Sequence, residues 1–406
     1  MAGPLSHIRV LDLSRVLAGP WASQILADLG ADVIKVERPG AGDDTRAWGP
    51  PFLKARDGSD LGAGYFLGAN RGKRSIAIDL GTPQGQAVVR QMATQCDVVL
   101  ENYKVGTLDR YGLGWKDLSA LNPRLVYCSI TGFGQSGPRA SQPAYDFLIQ
   151  AMGGLMSITG VPDGEPGAGP QKVGIPIIDL ITGVYAATAV SAALAGREAT
   201  GKGEHIDLAM LDVGVGLLSN QAMNSLLSGK VPRRTGNAHP NIQPQKVYAC
   251  RDGDIILVVG NDLQFASLCD VLGLTNLAAD ERFRTNGARV QNQAVLQPMV
   301  EEALRTRDRA EWLERLAAAG VPAGPINNIP EALNEPQVRH RDMVRRYEHP
   351  AAGAVSLVMS PFRFGGRGAN SERPPPMLGE HTDQVLAEFG VSAIEAADLR
   401  GRGIVA

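Results

Sequence analysis

Short apolar runs alternate with longer stretches of helical period along the first third of the chain. Residues 8–13 are the first run, residues 22–29 carry apolar side chains at helical spacing with Gly30 placed to end them, and residues 33–36 are a second run. The pattern continues through 75–79, a helix around 84–95, then 97–100 and 125–130. Strands and helices alternating in this way predict an α/β fold: a Rossmann-like large domain built on a parallel sheet. Residues 173–196 are apolar for long enough to raise a membrane span, but Pro176, Asp179 and Gly183 interrupt them. A carboxylate inside a span costs about 2.5–3.5 kcal/mol, so a buried strand, a turn and a helix are expected instead.

The period changes after the turn-rich passage KVPRRTGNAHPNIQPQ. Residues 246–249 and 255–259 flank Arg251-Asp252-Gly253-Asp254 as a hairpin, and amphipathic helices follow around 294–304 and 310–318. This predicts a large domain over 1–229 and a smaller α+β domain over 230–330. Residues 331–406, with a strand pair at 345–349 and 355–359 and a helix from Asp383, are expected to return to the large domain and complete it.

Composition narrows the function classes. With 406 residues, 44% hydrophobic and 20% charged, the chain has material for well-buried cores. Its 40 basic and 42 acidic side chains leave a net charge of −2, so no overall positive field exists to collect nucleic acid, and an anionic ligand must be met by local cations. Cys96, Cys128, Cys250 and Cys269 are scattered singly, which suggests neither a zinc site nor a disulfide framework and fits the cytoplasm. The first residues lack a secretory pattern, and no membrane partner is expected.

Candidate chemistry gathers at strand ends. The first strand is followed by SRVLAGPWA and not by GxGxxG, so a nicotinamide dinucleotide is a poor fit although Glu37 ends the second strand. Arg38 follows the second strand, and Lys104 and Arg110 follow the fourth; Arg71, Lys73 and Arg74 precede the third and would have to reach in from elsewhere. In an open α/β sheet the crevice beyond the carboxyl ends of the strands collects ligands. Asp179 is a single carboxylate where an apolar run passes into a helix. Its place fits a helix N-cap, and equally a sheltered nucleophile whose ionised form is favoured by the helix start. His205, His239 and His381 are assigned no catalysis, and neither GxSxG nor a P-loop is present.

The segments RVLDLSRVLAGPWASQILADLGADVIKVERPGAGDDTR, NRGKRSIAIDL, VVLENYKVGTLDRYGL, the stretch around Asp179, GVPAGPINN and PPPMLGEHTDQVL together resemble the class III CoA-transferases nearly end to end. GNAHPNIQPQKVYACRDGDIILVVGNDLQF with RPPPMLGEHT is most similar to the dicarboxylate branch, the succinate–hydroxymethylglutarate type. The resemblance implies an interlocked homodimer, an active site between large and small domains, and no permanently bound cofactor, with coenzyme A and acyl-CoA as substrates beside a small carboxylic acid. It places the catalytic aspartate on Asp179. CoA contacts carry over to Leu17, Ala18, Arg38, Asn70, Arg71, Gly72, Lys73, Asn102, Tyr103, Lys104 and Arg110; Trp48 and Tyr145 match pocket-lining positions. Leu17 and Ala144 replace a glutamine and a lysine of some relatives, so those polar contacts are not implied here. A second carboxylate needs a cation, for which Arg46, His239 and Lys246 are the candidates. The racemases of this fold use a histidine where Tyr145 stands, and a phenol with a pKa of about 10 is a poor base, which favours CoA transfer. The alternatives are a racemase and a non-catalytic CoA-binding protein.

Overall fold

The computed structural model describes residues 3–406, which fall into two compact units. One holds the chain as far as Leu155, Lys172–Leu227 and Pro336–Ala406; the other holds Met156–Gln171 and Ser228–Glu335. Residues 156–171, expected in the large domain, belong to the second unit. In the structure Gly160–Val161 pairs with Gly169–Pro170, and Arg234 donates to the Val161 carbonyl and pairs with Asp163, which ties this ribbon to the segment after Ser228.

The first unit is organised by a parallel sheet of β1 (Arg9–Asp12), β2 (Asp32–Glu37), β3 (Lys73–Ala77), β4 (Val98–Glu101), β5 (Val126–Thr131) and β6 (His205–Ala209). Its strands lie in the order β6-β5-β4-β1-β2-β3, so the direction of winding reverses between β1 and β4. Val10, Leu11, Val33, Ile34, Val98 and Val99 are wholly buried, as strands covered on both faces require. Between β1 and β2 runs α1 (Ala18–Asp28), which Gly30 follows at φ 104°, a conformation glycine adopts without strain. α2 (Pro83–Ala93) begins under a Thr82 side-chain cap, and α3 (Asp146–Met152) follows β5.

Residues 173–196 differ from the expected strand, turn and helix. A single helix, α4 (Ile177–Thr200), begins directly after Pro176. Its buried face carries Ile178, Thr182, Gly183, Ala186, Ala187, Val190 and Leu194, a helical period that the sequence run conceals because the opposite face is also apolar. α4 crosses α1 closely: a Cβ on Gly183 would lie 2.8 Å from the Ala18 carbonyl oxygen and 2.9 Å from the Trp21 Cβ.

The second unit contains an antiparallel sheet of β7 (Gln245–Ala249), β8 (Asp254–Val258) and β9 (Ala323–Pro325). It is packed with α5 (Asp262–Leu272), α6 (Gln293–Leu304) and α7 (Arg309–Ala318) around Ile255, Leu257, Phe265, Leu296 and Trp312. Arg289 is wholly buried in this unit. Its guanidinium donates to the carbonyls of Gln243 and Phe283 at 2.7 and 2.9 Å, pairs with Asp262 at 2.8 Å and lies over the Phe265 ring. Arg289→Met should strand these acceptors and lower stability by about 3 kcal/mol or more, read as an earlier urea midpoint.

In the first unit, β10 (Val344–His349) and β11 (Gly353–Val358) form a hairpin, followed by α8 (Thr382–Glu388) and α9 (Ala393–Gly401). Phe389, Leu399, Ile404 and Val405 join the same hydrophobic core as β1, β2 and β3.

Candidate active site

The point where the winding reverses is built from the loops after β1 and β4, which are clamped together. The Arg15 amide donates to Asn102 Oδ1 at 2.8 Å, and Asn102 Nδ2 returns a bond to the Arg15 carbonyl at 2.7 Å. Val16 stands at φ 69°, a left-handed conformation that a β-branched residue rarely adopts. Asp43 holds it there by accepting the Val16 amide at 3.2–3.3 Å. Asp43 is itself paired with Lys35 at 2.9 Å, both side chains fully buried. Burial works to raise the Asp43 carboxyl, but Lys35 and the bonds from Thr45 outweigh it and bring it down to about 2. A folded-state anion thus anchors the strained turn.

Two clefts open beside this turn. The first, about 280 Å³, is lined by Arg38 and Gly42 beyond β2, Asp79, Leu80 and Gly81 beyond β3, and Tyr111. The second, about 200 Å³, is lined by Leu17, Asn102, Lys104, Ala144, Tyr145 and Asp179. Arg15 and Tyr103 line both, so the two clefts adjoin at the strained turn.

Asp179 does not cap α4. It lies in the first turn, and Asp146 from the start of α3 supplies the cap, accepting the amides of Ile178 at 2.7 Å and Asp179 at 3.2 Å. Gln150 donates to the other Asp146 oxygen and accepts the Val173 amide at 2.9 Å, fixing the approach to the helix. Among the described residues no group bonds the Asp179 carboxylate, which stands at a helix N-terminus. Burial, and then the neighbouring Asp146 charge, push its carboxyl up to about 7. Tyr65 packs edge to face on Trp48 with ring centroids 5.3 Å apart. Burial, and then the charges on Asp179 and Asp146, push its phenol up to about 12. It thus keeps its proton near the carboxylate and can donate to an oxyanion.

The expected site residues divide. Leu17, Asn102, Tyr103, Lys104, Tyr145 and Asp179 meet in the second cleft, and Arg38 lines the first. Ala18 is buried at the start of α1, Trp48 is exposed against Tyr65, and Arg110 is exposed beside Thr107 and lines neither cleft. Asn70, Arg71, Gly72 and Lys73 lie at the amino end of β3, and Asn70, Arg71 and Lys73 are committed within the fold. Arg71 pairs with Asp28, Lys73 Nζ bonds Asp12, Asn70 and the Pro20 carbonyl, and Asn70 also donates to the Phe66 carbonyl. The carboxyl end of the same strand supplies Asp79, Leu80 and Gly81, which the sequence reading missed. Their signal was position: they follow the third strand. Arg46 is bound to Glu37 by two bonds of 2.8 Å, donates to the Pro376 carbonyl and lies 3.7 Å over the Phe66 ring, so it is not available to a substrate. His239 and Lys246 belong to the second unit, where His239 accepts the Asn241 amide and Lys246 pairs with Glu301.

A switch-point crevice that joins an exposed arginine to a sheltered, unbonded carboxylate defines an α/β enzyme acting on an anionic ligand. The family model described as CoA-transferase family III matches residues 5–382, and the chain belongs to that family. It is similar to the succinate–glutarate CoA-transferase of Agrobacterium fabrum, with 50% identity covering 95% of this chain and 96% of that protein. It is also similar to the succinyl-CoA:glutarate CoA-transferase of Homo sapiens, with 42% identity covering 95% and 86%. A crystal structure of a CAIB/BAIF family protein from Brucella suis matches with a TM-score of 0.83 and 48% identity over 96% of this chain and 100% of the other. The chain is a class III CoA-transferase, and CoA thioesters are its substrates.

Proposed function

We propose that this enzyme moves CoA from succinyl-CoA to a C4–C6 dicarboxylic acid, glutarate foremost, with Asp179 as the nucleophile. One observation carries the chemistry: a carboxylate at a helix start, in a cleft, with its neighbour Asp146 absorbing the backbone bonds that would otherwise occupy it. The names of the similar proteins support the substrate pair.

In this reading the nucleotide of CoA occupies the cleft with Arg38 and Tyr111, and the thioester passes Arg15 and Tyr103 to reach Asp179. The Asp179 carboxylate attacks the thioester carbonyl, the C–S bond breaks, and a mixed anhydride forms with release of CoA thiolate. The thiolate attacks the aspartyl carbonyl of the anhydride, freeing succinate and leaving an aspartyl-CoA thioester. The acceptor carboxylate attacks that carbonyl, expelling thiolate and forming a second anhydride. Thiolate attack on the acceptor acyl carbon then yields the new acyl-CoA and restores the Asp179 carboxylate. No proton is lost or gained in the cycle. The Tyr65 hydroxyl is the donor on hand for the oxyanions, since the first amides of α4 are taken by Asp146 and by backbone carbonyls.

An interlocked homodimer belongs to the same reading. Its support is the apolar surface at Phe147 and Leu148 of α3 and at Val184 and Tyr185 of α4, which a second copy would cover.

Mass spectrometry of CoA species after mixing the protein with succinyl-CoA and a panel of diacids tests the proposal. Glutaryl-CoA is expected with the wild type and not with Asp179→Ala. Failure of every diacid to accept CoA would overturn the substrate assignment.

A further inference from the structure

We propose that Arg15 binds the second carboxylate of the dicarboxylic acid through the Nε and Nη2 edge of its guanidinium; this rests on the reading of the enzyme as a dicarboxylate CoA-transferase. The cation is found by elimination and then by geometry. Among the described residues, the lysines and arginines lining the cleft that holds Asp179 are Arg15 and Lys104. Arg46, one of the candidates, is held by Glu37.

Arg15 is prepared for a planar, two-pronged partner in a way that Lys104 is not. Its Nη1 bonds Asp44 Oδ2 at 3.3 Å, and its guanidinium stacks 5.3 Å from the Tyr103 ring centroid. These contacts fix the plane of the group, while its side chain stays 47% exposed. Neither Nε nor Nη2 bonds a protein acceptor among the described residues. Two parallel N–H groups on one open edge match a carboxylate in fork geometry, whereas a lysine offers a single mobile point charge. Asp44 faces the same guanidinium from the other side and keeps it oriented when no acid is bound.

The backbone shows the same preparation. Arg15 is clamped to Asn102 by two reciprocal bonds, and the next residue, Val16, is held in its left-handed conformation by the buried Asp43–Lys35 pair. Backbone strain retained by a buried ion pair is characteristic of a segment that must present a group at a set place. That place is the junction of the two clefts. A diacid whose reacting carboxylate is at Asp179 has its other end inside the cleft that Arg15 lines, so Arg15 reads the presence of the second charge.

The experiment compares glutarate with its monomethyl ester as acceptors, with succinyl-CoA as the fixed donor, in wild type, Arg15→Met and Arg15→Lys. The acceptor ratio of kcat/KM cancels any change in donor binding. The wild type should prefer glutarate by about tenfold or more, and Arg15→Met should bring the ratio to within about twofold of unity through loss on glutarate. Arg15→Lys, which keeps the charge without the fork, should retain part of the preference and serves as the test should the methionine variant fail to fold. A preference retained in full by both variants overturns the proposal while leaving the dicarboxylate reading intact; that is the outcome if Arg15 serves the CoA phosphates alone. Transfer to neither acid by the wild type overturns both.

Discussion

Asp179→Asn should lower CoA transfer by at least about a thousandfold and at the same time make the protein harder to unfold at alkaline pH. The first effect follows from the proposed chemistry, because an amide cannot form the anhydride. The second follows from linkage. The Asp179 carboxyl titrates at about 7 in the fold against its ordinary 3.8, burial being the larger cause and Asp146 the smaller. Between those values the folded protein binds more protons than the unfolded chain, so this group removes stability as pH rises from about 4 to 7, and the deficit persists above 7. It amounts to a few kcal/mol at pH 8 and roughly half as much at pH 5.5. The asparagine variant escapes it. Melting curves at the two pH values should show the larger gain at pH 8; an equal gain at both would mean that the carboxylate is not electrostatically burdened. In the wild type, kcat/KM should fall about tenfold per unit below pH 7 as the nucleophile takes up a proton.

The second large effect is expected at the crossing of α1 and α4. Gly183→Leu places a Cβ 2.8 Å from the Ala18 carbonyl oxygen, a backbone atom that cannot rotate away. The helices must separate, at a cost of about 3 kcal/mol or more and roughly 3–6 °C in Tm. Activity should fall further than stability, because the same displacement shifts Leu17 at the edge of the Asp179 cleft. Gly196→Ala is the control: a Cβ there meets nothing within 4 Å and removes a flexible residue from the same helix, so it should stabilise by a few tenths of a kcal/mol or more. A Gly183→Leu protein as stable as wild type would refute the close crossing.

The parallel sheet was legible because its strands are buried on both faces and read as apolar runs, and Asp179 was legible because a lone carboxylate interrupts such a run. The cap was not. Asp146 lies over thirty residues upstream, and only the fold brings its oxygens to the amides of α4. The misplaced cations share this cause. Arg71, Lys73 and Arg46 look like free ligands in a linear sequence, but their carboxylate partners, Asp28, Asp12 and Glu37, arrive from other elements and consume their charge. Asp79, Leu80 and Gly81 carry no cation and so drew no attention, although the position after a strand was itself informative. Arg15 is the opposite case: it sits in the first loop among similar-looking residues, and only the folded structure shows that its Nε and Nη2 edge stays open.

The return of residues 381–406 to the first unit sets a timetable for synthesis. β3 is finished by the tail: the His381 amide bonds the Ser75 carbonyl, Arg74 pairs with Glu388, and Val405 bridges Ile78. At about 5–20 residues per second, a nascent chain that has just made Ile78 waits roughly 15–65 s for Val405, with the second unit emerging in between. During that interval the sheet has an open edge at β3, whose unpaired backbone groups are a template for pairing with another chain until the last helices dock.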